Sequence, residues 1–227
     1  RMEDLEWNHK RVHRIYVDIG LNIRRKVKRR LPVPVKEPLT WPINANIVWS
    51  MDFMHDTLID GTKFRTFNVI DDFNREALKI TIDTSISGKR VIRELNKLIE
   101  WRGKPERIRV DNGPEFTSYT FVEWAKENEI DVQYIQPGKP VQNSFIERFN
   151  RSFRQEILGA FLFDDLKQVR ELTEEWISLY NHQRPHDALN GLTPERFLLK
   201  YGKLAEFTTL QQDININKEF SNLSVAN

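Results

Sequence analysis

Asp52, Asp111 and Glu147 are the residues of this 227-residue chain with the strongest claim to chemistry. Asp52 falls in the middle of the strand pattern Ile47 to Met54, where Asp is uncommon, and its neighbours Trp49-Ser50-Met51 and Phe53-Met54 offer no basic partner. A buried carboxylate without a partner is costly, and a metal ion makes it favourable. An edge-strand Asp facing water is the ordinary alternative. Asp111 follows the short strand Arg107–Val110 and heads the word Asp111-Asn112-Gly113-Pro114-Glu115-Phe116. Ligands of open α/β sheets gather at the carboxyl ends of strands, although Asp-Asn-Gly is also a good turn. Glu147 lies between Phe145 and Phe149, at the border of an apolar helical stripe, with Asn143, Ser144, Asn150 and Arg151 as helical neighbours. A surface Glu paired with Arg151 is the plain reading of that residue alone. As a set the three weigh more. Thirty-five residues separate Asp111 from Glu147, and Arg154 follows Glu147 by seven, two helical turns on the same face.

The elements that must hold these residues follow from periodicity. Alternation marks strands at Ile47–Met54, Lys63–Ile70 and Ala77–Ile82, joined by the turn signals Asp60-Gly61 and Asp71-Asp72-Phe73-Asn74. The period then lengthens. Val91, Ile92, Leu95, Leu98 and Ile99 make a helical face between Ser87 and Gly103, and Arg107–Val110 is a buried strand. A helix through Phe121, Val122 and Ala125, a strand Val132–Ile135, and the loop Gln136-Pro137-Gly138-Lys139-Pro140 come next. One long helix is expected from about Val141 to Leu158, with Phe145, Phe149, Phe153 and Ile157 every fourth residue. A last helix begins after Asp164 or Asp165 and carries Val169, Leu172, Trp176 and Leu179, while the Trp176 and Tyr180 stripe reads as core. The order βββαβαβαα predicts an α/β fold: a mixed five-stranded sheet, three antiparallel strands then two parallel, flanked by helices. That is the element order of a ribonuclease H-like fold.

Composition narrows the class. Apolar residues at 39% with 14 Phe and 6 Trp supply a core, and the absence of Cys excludes disulfide scaffolds, thiol nucleophiles and cysteine zinc sites. No apolar run reaches the roughly 20 residues of a membrane span. The net charge of +2 hides an asymmetry: residues 1–36 hold 11 Lys/Arg against 4 Asp/Glu, and the remainder holds 24 against 29. Such an arm, dense at Arg24-Arg25-Lys26-Val27-Lys28-Arg29-Arg30, suits a polyanion. Residues 8–19 read as a short helix capped by Asn8, and three prolines within Pro32–Pro38 favour an extended linker. The expected organisation is a basic region 1–30, a linker 31–45, a catalytic core 46–205 and a polar tail 206–227.

The three carboxylates with that spacing and the trailing Arg154 resemble the D,D(35)E signature of DDE transposases and retroviral integrases. Val48-Trp49-Ser50-Met51-Asp52-Phe53, Val110-Asp111-Asn112-Gly113-Pro114-Glu115-Phe116, Ile135-Gln136-Pro137-Gly138-Lys139-Pro140, Tyr180-Asn181-His182-Gln183-Arg184-Pro185-His186 and Leu192-Thr193-Pro194-Glu195 look like bacterial insertion-sequence transposases of the IS-three family. The resemblance spans about residues 8–200. It implies strand cleavage and strand transfer by Asp52, Asp111 and Glu147, acting in the bacterial cytoplasm at the nucleoid. Trp7-Asn8-His9-Lys10-Arg11-Val12 looks like the end of the family's helix-turn-helix region, which implies a fragment whose main sequence-reading element lies upstream. Three carboxylates without Cys suit Mg²⁺ or Mn²⁺, and two such ions, roughly 3.5–4 Å apart, can clamp an in-line displacement at phosphorus. The expected partners are double-stranded DNA, both transposon ends and target, and further copies of the chain in a multimer on DNA; no membrane is expected. Expected DNA contacts are Arg154, Arg151, Lys139 and Asn143 near the site, and Arg24, Arg25, Lys26, Lys28, Arg29 and Arg30 in the arm. Two alternatives stay open: a ribonuclease H-like nuclease that only hydrolyses, and a domesticated, non-catalytic DNA-binding protein.

Overall fold

The computed structural model describes residues 8–20, 41–136 and 140–202. The basic run 24–30, the proline-rich segment 31–38, Lys139 and the tail from 203 lie outside the described residues. Helix α1 (His9–Asp18) begins where the sequence places it, with the Asn8 side chain accepting from the Lys10 amide at 3.0 Å. Its apolar residues Val12, Ile15 and Tyr16 are exposed.

The core starts with β1 (Val48–Thr57) and turns through Gly61, whose φ of 86° spares the hairpin a side-chain penalty, into β2 (Lys63–Asp71). It continues with β3 (Ala77–Asp83), α2 (Gly88–Arg102), β4 (Arg107–Val110), α3 (Pro114–Thr117), α4 (Tyr119–Glu127), β5 (Asp131–Tyr134), α5 (Ser144–Phe153) and α6 (Leu166–His182). The sheet order is β3-β2-β1-β4-β5. β1 pairs antiparallel with β2 and β2 with β3, whereas β1–β4 and β4–β5 are parallel. This is the mixed sheet that the element order predicts. β1 is its central strand, so Asp52 is not an edge residue.

Alternation along β1 sends Trp49, Met51 and Phe53 to one face, under Val91, Leu95 and Leu98 of α2 and Phe121, Trp124 and Ala125 of α4. The opposite face carries Met54 and receives Phe149 and Phe153 of α5 and Trp176 and Tyr180 of α6. Each fully buried aromatic or aliphatic side chain contributes about 2 kcal/mol.

Several boundaries differ from the periodicity. The single helix expected over 141–158 is three pieces: a 3₁₀ turn at Pro140–Asn143, α5, and a π turn at Arg154–Leu158. A strict four-residue stripe drifts around an α-helix of 3.6 residues per turn, and a wider π turn lets Ile157 and Leu158 both reach the core. On α6 the buried stripe is Val169, Thr173, Trp176 and Tyr180, and Leu179 is exposed. Trp41, within the segment read as linker, packs on the core: its indole donates to the Phe73 carbonyl at 2.9 Å and its ring stacks on Phe197.

Candidate active site

Asp52 sits on the α5 face of the sheet, where its Oδ2 accepts from Asn150 Nδ2 at 2.8 Å. Asn150 Oδ1 in turn accepts at 2.7 Å from Nδ2 of Asn68, the residue opposite Asp52 in the β1–β2 register. Both asparagines are buried. Asn150 lies one helical turn beyond Glu147, so α5 presents the third carboxylate and anchors the first. The second oxygen of Asp52 accepts from the Phe53 amide at 2.8 Å. Its partners are therefore neutral amides, and no cation of the described residues pairs with it. Burial, with added repulsion from Asp111 and Glu147, outweighs these hydrogen bonds and pushes the Asp52 carboxyl up to about 6.

That repulsion brings the other two carboxylates into the same electrostatic neighbourhood. Ser50 is registered with Arg109 across the parallel β1–β4 pair, and two residues further the strands carry Asp52 and Asp111 on one face. Asp111 is exposed and forms an Asx turn, Oδ1 accepting from the Gly113 amide at 2.9 Å. A Cβ at position 113 would meet Asp111 Oδ1 at 2.9 Å and Glu115 Oε2 at 3.3 Å, so a side chain there would displace the Asp111 carboxylate from this turn. Asn112 ties the turn to the end of β5 by donating to the Ile135 carbonyl at 2.9 Å. Glu147 is exposed in the first turn of α5.

The all-oxygen donor set suits a hard divalent cation, and the unfavourable charge on Asp52 is what such an ion would relieve. Among the described residues no three His, Asp or Glu converge on one point. Like charges repel, and Asp111 is turned onto the Gly113 amide. The groups are neighbours with the right chemistry, held apart.

Other expected residues fall in varied places. Arg154 opens the π turn and points back to the end of β1, donating to Asp56 Oδ2 at 2.9 Å and to the His55 carbonyl at 2.7 Å. Both partners lie on β1 and not on the helix itself. Arg151 is exposed on α5. Asn143 is buried where the 3₁₀ turn passes into α5. Lys139 and the arm cations Arg24, Arg25, Lys26, Lys28, Arg29 and Arg30 lie outside the described residues. Asp71 and Asp72 serve the fold: Asp71 accepts from the Asn46 and Phe73 amides, and Asp72 pairs with Arg109 at 2.6 Å in the interior. Glu115 pairs with Arg65, whose guanidinium lies over the Phe53 ring.

Sequence reasoning did not assign Asn68 or Asn150 to Asp52. The available signal was a polar amide inside an otherwise apolar strand and another on the buried side of α5.

Two family models, both described as integrase core domain, match residues 44–140 and 128–194. The uncharacterized 31.7 kDa protein of insertion element IS407 from Burkholderia multivorans is 42% identical over 207 residues, 91% of this chain and 75% of that protein. An Escherichia coli protein assigned as the transposase InsK of insertion sequence element IS150 is 25% identical over 207 residues, 85% of this chain and 71% of that one. The catalytic core of HTLV-2 integrase, solved with magnesium in a trimeric form, aligns with a TM-score of 0.56 at 20% identity, covering 68% of this chain and 97% of that one. At that identity the likeness speaks to the fold, the ribonuclease H-like sheet predicted from element order.

Proposed function

The chain belongs to the integrase core family of insertion-element transposases, and from that premise we propose that it cuts and joins DNA strands with Asp52, Asp111 and Glu147 as its catalytic carboxylates. The observation that supports this most directly is the Asp52 carboxyl, half-buried in the central strand and repelled by both Asp111 and Glu147. Such a cluster is unfavourable for stability and suited to divalent cations, two Mg²⁺ or Mn²⁺ in this reading. Bound there, such ions polarise the phosphoryl group and lower the pKa of an attacking hydroxyl or water.

The chain's own residues do the rest. Asn68 and Asn150 hold the Asp52 carboxylate in one orientation, so that it needs no rearrangement when DNA arrives. The Asp111-Asn112-Gly113 turn, pinned to β5, presents Asp111 at the open end of the sheet. Glu147 enters from α5, and the exposed cations Arg151 and Arg154 offer phosphate contacts on the same helix and the turn that follows it. In strand transfer the 3′-oxygen of one strand forms a bond to phosphorus while the bridging oxygen of the target strand leaves. The substrate is double-stranded DNA, and joining two ends to a target calls for a homo-multimer on DNA. The basic arm supplies sequence-independent affinity. The place of work would be the bacterial cytoplasm, at the nucleoid; no described helix is long and apolar enough to cross a membrane.

Incubation with labelled duplexes bearing the element's ends, in Mg²⁺ or Mn²⁺, tests the reading. Nicked and joined products are expected from the wild type, and none from Asp52→Asn, Asp111→Asn or Glu147→Gln. Hydrolysis without joining of precut ends would favour the nuclease alternative, and robust activity in any single variant would show that the triad is wrongly assigned.

A further inference from the structure

The word Tyr180 to His186 has no role in the active site, yet its end lines a cavity of about 550 Å³ on the far side of α5. Three guanidinium groups border that cavity: Arg75 from the β2–β3 turn, Arg148 from α5 and Arg184 after α6. Arg75 is the unusual one. It is 7% exposed, adopts a positive φ of 61° that a non-glycine residue rarely tolerates, and is held between the Trp41 ring at 4.5 Å and the Phe145 ring at 3.4 Å. Its Nη1 is buried with no hydrogen-bond partner, as is Nε2 of His186 on the same cavity wall. Buried polar atoms are nearly always satisfied, and two orphans on one cavity point to a polar group that belongs there. The counter-charges are Asp72 and Asp71, which act on Arg75 from the interior without a hydrogen bond to it, Glu156, which pairs with Arg184 at 2.6 Å, and Asp187 on the rim. Strain, aromatic clamping and an unpaired cation together describe a built anion site.

We propose that this cavity binds a backbone phosphate of the DNA strand that passes the active site. The proposal rests on the reading of the chain as a DNA-joining enzyme and adds a second anchoring point to it. Planar guanidinium groups match phosphate oxygens in a fork geometry. The distance also suits the role. Ser144, Arg148 and Ser152 line the cavity from one side of α5, and Glu147 precedes Arg148 on the adjoining side. Four residues, about 6 Å along the axis, separate neighbouring residues of that row, against about 3.4 Å per nucleotide along a duplex strand. A strand reacting at Glu147 can therefore set a phosphate only a few nucleotides away into the cavity.

The test is DNA binding by the full chain in EDTA, so that cleavage does not intervene. Arg148 is exposed, so Arg148→Ala is expected to fold normally, to bind an element-end duplex roughly tenfold more weakly, and to lower the salt slope by about one. Arg148→Lys should fall between, and Arg93→Ala, exposed on α2, should match the wild type. Arg75→Met keeps the stack between the rings without the charge and should give the same loss as Arg148→Ala, with a lowered Tm because Arg75 also offsets the buried charge of Asp72. Because the chain has no cysteine, Ser152→Cys provides a single thiol on the cavity wall. It should exchange with a mixed disulfide tethered to a backbone phosphate of the DNA, releasing the small thiol and linking protein to DNA, faster than Arg93→Cys does. Wild-type affinity in Arg148→Ala, or equal cross-linking at both cysteines, overturns the proposal. So does protection of the Ser152→Cys thiol by inorganic phosphate but not by DNA, which would make the cavity a site for a free anion. A wild-type chain that binds no DNA at all would instead sink the transposase reading.

Discussion

Asp52→Asn should make the protein more stable while removing its activity. The Asp52 carboxyl is raised from 3.8 to about 6 by burial and by the charges of Asp111 and Glu147. A folded carboxyl that holds its proton up to pH 6, against 3.8 in the unfolded chain, favours folding fully below pH 3.8. That contribution drains away between the two values and is gone above pH 6. At pH 7.5 the ionised group therefore costs about 3 kcal/mol, at 1.36 kcal/mol per pKa unit. Asparagine keeps the shape and can still accept from Asn150, but it loses one of two acceptor oxygens and with it the Phe53 amide contact, about 1 kcal/mol. The net gain of about 2 kcal/mol corresponds to about 4–8 °C in Tm for a domain of this size. Thermal unfolding in EDTA across pH is the assay. The variant should melt higher at pH 7.5, and the difference should vanish near pH 4.5, where the wild-type folded carboxyl is protonated. Adding Mg²⁺ at pH 7.5 should raise the wild-type Tm and leave the variant's unchanged. Equal Tm values at both pH values, or a variant less stable at pH 7.5, would refute the claim that Asp52 is a strained carboxylate repelled by its two neighbours.

Three further outcomes are expected. Asn150→Ala leaves Asn68 Nδ2 without its partner in the interior and frees Asp52 to rotate, so it should lower Tm by a few degrees and cut cleavage and joining at least tenfold, whereas Asn150→Gln should not restore them; wild-type rates in Asn150→Ala would show that orientation of Asp52 is unimportant. Arg154→Ala gives up an exposed pair with Asp56 worth at most about 1 kcal/mol, so Tm should hardly move while end cleavage or joining falls clearly, with partial retention in Arg154→Lys; unchanged rates would leave Arg154 as a brace for the end of β1. Deleting residues 1–36, with 11 Lys/Arg against 4 Asp/Glu, should flatten the dependence of DNA binding on salt and spare the folded core, and an unchanged slope would return the arm to a solvated segment.

Much of the site was legible without coordinates because its members are chemical exceptions to local rules. A carboxylate inside an apolar strand, a second at the end of another strand and a third on the border of a helical stripe can each be read from residue type and period. Their spacing then carried the family resemblance. Strand order was legible too, since two short connections dictate an antiparallel meander and intervening helices dictate parallel pairing.

What sequence alone determined, then, was the succession of elements, because it depends on neighbours within one helical or strand repeat; it also singled out, by residue type and spacing, the three carboxylates proposed as the site. Tertiary structure decided which residues attend them. Asn68 and Asn150 are 82 residues apart in sequence and meet only because α5 lies across the centre of β1 and β2. Arg154 and Asp56 are 98 residues apart and meet only because the end of α5 is packed beside the end of β1. Arg75, Arg148 and Arg184 are ordinary charges in three distant segments until the fold gathers them at one cavity. Hydrogen-bond partners and shared cavities are set by how whole elements pack, and no local period encodes that.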